Sequence, residues 1–207
     1  MAHLPLIALI AFAQAPNLQQ TLKAIEARYN TTKTLQSNFE QSVIMQGKRS
    51  VERGVLYLRK PGQMRWEYAQ PQGKLFLSDA KKIYYISPAS RRVEVSAVRE
   101  SEDLRAPLAF LLGRLDFSRD FGRYETSQRE GSLLIRAFPK NEKSIFEFVE
   151  FFPAPDGALK TVTVQGRDGS RMEYSFSNET RNPALNEKLF RFEAPSGFEI
   201  VELKNAP

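Results

Sequence analysis

Apolar side chains recur at helical spacing near the start of the chain, at Leu18, Leu22, Ile25 and Tyr29, with Asn17 placed to cap the first turn. This predicts an amphipathic helix over 18–30. From Leu35 the period drops to two: Leu35, Phe39, Val43 and Met45 share one parity and Gln36, Asn38, Glu40 and Gln46 the other, as in a half-buried strand. A second strand is expected over 51–59, followed by the turn signal Pro61-Gly62. A third runs over 63–68, with Met64, Trp66 and Tyr68 opposed to Arg65 and Glu67.

Short strands continue over 74–78, 83–86 and 92–98, then 133–138, 145–152, 158–165 and 170–178, and the chain closes with 190–192 and 198–203. Arg167-Asp168-Gly169 reads as a hairpin turn. Such spacing belongs to an antiparallel meander, not to βαβ units. One interruption, between Asp103 and Phe121, carries Leu104, Leu108, Leu111 and Leu115 at helical spacing, with Pro107 near its first turn. The segment 145–152, IFEFVEFF, has rings on both parities and predicts a strand covered on both faces over part of its length. About ten twisted strands tend to curl toward a barrel. Where the curl is incomplete its concave face needs a cover, and the two helical stretches are available. The expected fold is mainly β: one domain over 16–207, an incomplete antiparallel barrel with a helical lid.

Composition then narrows the chemistry. The 207 residues contain no Cys and one His, His3, which removes thiolate nucleophiles, Cys zinc sites, disulfides, Ser-His-Asp triads and imidazole ligands. No phosphate-cradling glycine motif is present. Carboxylate chemistry survives, for example at Glu147, Glu150 and Asp168, but acidic residues on alternating strands are ordinary solvent-facing positions, and no enzyme is expected. Neither a cofactor nor a metal is called for. Residues 4–13 are apolar and too short to span a bilayer, and small residues follow at Ala11, Ala13 and Ala15. Residues 1–15 are therefore read as an export signal, although the n-region lacks Lys or Arg. The net charge of +6 is spread among 24 acidic residues without a basic block. An anionic membrane surface or partner suits it better than nucleic acid, and plain solubility explains it equally well.

Fifteen Phe and seven Tyr exceed what a small core needs. Rings on a concave sheet either pack as an ordinary core or leave room for an apolar ligand, and composition leaves both open. Burying a sixteen-carbon acyl chain supplies about 12 kcal/mol before ordering costs.

From Phe39 onward the sequence resembles a known family. Phe39 to Gln41 reads F-x-Q; Gly54-Val55-Leu56 leads to Lys60-Pro61; Met64-Arg65-Trp66 leads to Pro71, Ser78-Asp79 and Tyr85-Ile86-Ser87-Pro88. The close runs Phe190-Arg191-Phe192-Glu193-Ala194-Pro195-Ser196-Gly197-Phe198. Order and spacing are similar to those of the LolA family of periplasmic lipoprotein carriers over nearly all of the chain. The resemblance implies a half-open barrel, lidded by helices, that moves acylated lipoproteins. They come from an inner-membrane ABC-type release complex and go to an outer-membrane acceptor, with the carrier expected to be a periplasmic monomer; the dispersed charge and the export signal argue against nucleic acid as a partner. It further implies acyl-chain contacts at Met64, Trp66, Tyr68 and Phe76, lid contacts at Leu104, Leu108 and Leu111, and a lid latch at Lys60. Lys60 stands where the family has arginine, so the latch is looser or shifts to Arg59; Met64 stands where the family has an aromatic, and Ala80 where it has glycine. The alternative on the same fold is a periplasmic lipid-binding sensor or regulatory domain.

Overall fold

The computed structural model describes residues 17–98 and 115–203. Asn17 accepts the Gln20 N–H at 2.8 Å and opens helix α1, Leu18–Thr31, whose Leu22, Ile25 and Tyr29 are buried. Twelve strands follow: β1 Thr34–Met45, β2 Lys48–Arg59, β3 Gln63–Gln70, β4 Leu75–Asp79, β5 Lys82–Ser87, β6 Arg92–Ala97, β7 Phe121–Arg129, β8 Ser132–Pro139, β9 Phe146–Pro153, β10 Leu159–Gly166, β11 Arg171–Arg181 and β12 Glu199–Glu202. All belong to one open sheet, ordered β12-β6-β5-β4-β3-β2-β1-β11-β10-β9-β8-β7. The pairing of β1 with β11, Phe39 opposite Phe176, joins two meanders far apart in sequence.

Most expected strands lie within a few residues of their predicted bounds, and four features differ. β7 was missed, because only Phe121 of its nine residues is buried: it is a polar edge strand with almost no hydrophobic signal. Residues 190–192 do not form a strand; a 3-10 turn over Glu187–Phe190, capped by Asn186, places the Phe190 ring in the core instead. β12 pairs parallel to β6, departing from the antiparallel meander. Met45 keeps the parity of Phe39 but is 54% exposed, since the β1–β2 hairpin outruns its neighbours. The lid leucines Leu104, Leu108 and Leu111 and the export segment 1–15 lie outside the described residues. The apolar interruption ends in buried Leu115 and a helical turn, Phe117–Asp120.

One face of the sheet forms the main core, shared by α1, β1 to β3, Leu115, Phe117 and β8 to β11. The opposite face carries a smaller core at the other edge, where Phe192 and Phe198 pack on Ile86, Val93 and Val95. In β9 both faces are covered from Val149 to Pro153, as the sequence predicted. Glu150 is buried there, contrary to its expected solvent-facing position, because Arg136 (2.8 Å) and Arg171 (3.4 Å) neutralise it.

Helix α1 is fixed on the sheet by a polar network. Arg28 pairs with Glu179 at 2.6 Å and Asp156 at 2.9 Å, and the Tyr29 hydroxyl donates to Glu179 and accepts the Leu159 N–H. Arg28 and Glu179 are only 14% and 12% exposed. Glu179→Ala is therefore expected to cost roughly 3 kcal/mol, the lower end for a broken buried pair because Asp156 still faces Arg28. Urea unfolding of the variant measures it.

Candidate functional site

The alternation of β3 places Met64, Trp66 and Tyr68 on the concave face and Arg65 and Glu67 on the convex one. Register sets Phe76 of β4 directly beside Trp66. The four residues expected to line a groove are thus brought together; the first three are buried and Phe76 is half-buried.

Phe39 reaches this group because Gly54, its partner across β1 and β2, has no side chain. A Cβ on Gly54 would stand 2.9 Å from the Phe39 ring and 2.0 Å from the Glu67 carbonyl oxygen. The ring lies in the space glycine leaves and meets Trp66 (4.6 Å) and Tyr68 (5.0 Å) edge-on. From β11, Tyr174 and Phe176 approach Trp66 at 5.6 and 6.3 Å. Sequence reasoning did not assign these two to the site. Their alternation, Met172-Tyr174-Phe176, was visible, but the β1–β11 pairing that carries them to Trp66 was not.

The opposing wall is apolar throughout: Leu22 and Ile25 of α1, then Phe117, Ile135, Val149, Phe151 and Val162. Between Tyr29, Leu56, Leu159 and Phe176 the gap is only about 10 Å³, room for about one water molecule at most. At that point the layers touch, and a guest chain is admitted there only if they part. Polar groups cluster at one margin: the Tyr68 hydroxyl donates to Gln41 at 2.9 Å, and Lys74, paired with Glu52 at 2.6 Å, sits 4.4 Å over the Tyr68 ring. A separate cavity of about 630 Å³, bordered by Tyr57, Leu75 and Phe198, lies mainly on the convex side.

Burial pushes the hydroxyls of Tyr29, Tyr68 and Tyr174 well above the ordinary tyrosine value, and that of Tyr124 up to about 12, with nearby carboxylates such as Glu179, Glu52 and Glu26 adding to it. A raised value means that the fold favours the neutral phenol. This stability is fully present below the unfolded value of 10.0 and is lost as pH rises through the folded values. Melting temperatures should therefore fall steeply above about pH 10, and Tyr68→Phe should flatten that decline.

The Lys60 ammonium donates to the Tyr29 carbonyl at 2.9 Å, closing the last turn of α1, and burial lowers its pKa. Arg59, the expected substitute, points to the other face, over the Phe190 ring at 5.1 Å and onto the Leu185 carbonyl. Two further residues went unnoticed in the sequence. Asn30 accepts the Leu115 N–H at 2.8 Å and donates to its carbonyl at 2.9 Å, and Glu26 accepts the Phe117 N–H at 2.8 Å. Spaced i, i+4 on α1, they hold Leu115 and Phe117 against the helix; their only signal was two polar residues one helical turn apart.

The turn at Ser78-Asp79-Ala80 keeps a backbone that favours glycine: Ala80 has φ +78°, and Asp79 accepts the N–H groups of Lys81 and Lys82 at 2.8 and 2.7 Å. Relieving the left-handed alanine outweighs the added freedom of the unfolded chain, so Ala80→Gly should stabilise by about 0.5–1 kcal/mol in thermal melts.

The family described as outer membrane lipoprotein carrier protein LolA matches residues 30–193, a span that holds every ring of this concave cluster. The chain belongs to the LolA family. Relatives named outer-membrane lipoprotein carrier protein include that of Bordetella avium, 30% identical over 210 residues and covering 98% of each chain. That of Xanthomonas campestris is 33% identical over 174 residues and covers 82% of each. The fold is also similar to the crystal structure of an uncharacterized conserved protein from Thermus thermophilus, with TM-score 0.53 and 12% identity over 89% of this chain and 98% of that one. Within the LolA family pattern, the three departures have a structural reading here. Lys60 still ties the end of β2 to a helix, Met64 fills the ring position as a buried side chain, and Ala80 holds the glycine-type turn.

Proposed function

We propose that this protein is a periplasmic carrier that takes the acyl chains of lipoproteins against its concave face and moves them from the inner to the outer membrane. The carrying observation is the uninterrupted apolar lining from Met64, Trp66 and Phe76 across Phe39 to Tyr174 and Phe176, opposed by an equally apolar wall. Such a lining grips an alkyl chain by area alone and is indifferent to the protein attached to it. Residues 1–15 serve as the export signal. Leu104, Leu108 and Leu111 cover the guest, and Lys60 steadies α1 as the fixed side of that cover. Cargo comes from an inner-membrane ABC-type release complex and passes to an outer-membrane acceptor.

The test is release from spheroplasts. Purified mature protein added to energised spheroplasts should bring acylated lipoprotein into the supernatant as a soluble equimolar complex. Failure to release any, in a preparation where another LolA family carrier does, would exclude carriage and leave a lipid-binding sensor on the same fold.

A further inference from the structure

Three turns meet at one end of the sheet: the β1–β2 tip (45–48), the β10–β11 turn (166–170) and the segment leading into β9 (139–145). Met45 pairs with Lys48, Ile44 with Arg171, and the Arg167 N–H donates to the Ile145 carbonyl at 3.0 Å, so the three form one continuous edge. The β1–β2 tip runs past β3, since β2 pairs with β3 only from Arg53 onward.

This edge differs from an ordinary solvated rim in two respects. Among the described residues, five large apolar side chains are strongly exposed, and two are here: Met45 (54%) and Ile145 (52%). Met45 and Ile145 lie on strands three spacings apart, roughly 15 Å along the rim. The second respect is charge. Segments 45–49, 139–146 and 166–171 carry six cationic residues, Lys48, Arg49, Lys140, Lys143, Arg167 and Arg171, against the carboxylates of Glu142 and Asp168. Among the described residues, Arg171 alone of the six is in an ion pair; Arg49, Lys140 and Arg167 rest on neutral oxygens of Ser42, Ser118 and Ser144. Asp168 is occupied within its own turn, accepting the Ser170 N–H and hydroxyl at 2.9 and 2.6 Å.

We propose that this edge docks on an anionic bilayer surface. Apolar side chains raised on separate turns, with cations between them, match the charged headgroup layer above the acyl region: the cations stay among the phosphates while Met45 and Ile145 dip below them. An acidic protein would satisfy the charge but give no reason for isolated apolar tips. The apolar lining reaches the same end, because Met172 and Phe146 pack against the main core just behind the rim. Docking here brings this end of the apolar core to the membrane. It stands without cargo and is testable whether or not carriage is correct.

The cargo-free mature protein is sedimented with phosphatidylcholine vesicles, with and without about one-third phosphatidylglycerol. Partition is expected onto the anionic vesicles only, and it should fall steeply with added salt. The double variant Lys48→Glu/Lys143→Glu should bind at least tenfold more weakly, and Met45→Ser/Ile145→Ser severalfold more weakly at constant charge. Lys33→Glu/Lys81→Glu, at the opposite end, is the charge-matched control and should bind like the wild type. Equal losses in the control would reduce the effect to net charge and overturn the proposal. Absence of binding to anionic vesicles would also overturn it and leave an acidic protein as the partner of this edge.

Discussion

Gly54→Ala is expected to cost the protein about 3 kcal/mol or more, the upper end of overpacking effects, and Gly54→Val to leave little folded material. The reason is the backbone. An added Cβ stands 2.0 Å from the Glu67 carbonyl oxygen, which the β2–β3 ladder holds in place, and it also strikes the Phe39 ring. Neither neighbour is the free end of a flexible chain. Relief requires opening β2 from β3 or expelling Phe39, and both undo the contacts of Trp66 and Tyr68. Urea denaturation and near-UV circular dichroism measure the loss. An alanine variant within about 1 kcal/mol of wild type, with its aromatic signal intact, would contradict the close approach.

The second large effect falls on binding. Phe76→Lys should abolish release of lipoprotein from spheroplasts while keeping the folded signal near that of wild type. Phe76 shares the concave face with Trp66 but is half-buried, so a lysine stem follows the same apolar surface and its ammonium reaches water. An acyl chain that loses contact with about three methylenes there forfeits about 2.4 kcal/mol, some fiftyfold in affinity, before the charge is counted. Trp66→Lys is the less informative variant because it disrupts the ring cluster itself. Unimpaired release by a folded Phe76→Lys protein would move the acyl site away from β3 and β4.

What the sequence made legible follows from where each signal is local. The Met64-Trp66-Tyr68 face, the Asn17 cap, the Arg167-Asp168-Gly169 turn and the double-sided burial of β9 are set by neighbours within a few residues, and periodicity reports them directly. β7 carries no such signal, since a sheet edge can be polar on both faces. The inward course of Tyr174 and Phe176 depends on the pairing of β1 with β11, far apart in the chain, and the burial of Glu150 on the arginines that β8 and β11 bring to it. Lys60 and Arg59 illustrate the limit at single residues. Adjacent on one strand end, they necessarily face opposite sides, yet only the structure tells that the lysine meets α1 and the arginine meets Phe190.

Trp66 is the chain's only tryptophan and lies 4% exposed among the rings of the concave face, so its fluorescence reports on that face alone. The most direct test adds an acylated lipopeptide with brominated chains, which quench indole emission on contact, to the purified protein, with the unbrominated lipopeptide as control. Carriage against this face predicts strong, saturable quenching by the brominated lipopeptide only. Binding of both lipopeptides by gel filtration, with Trp66 emission unaffected by bromine, would place the acyl chains elsewhere and contradict the account.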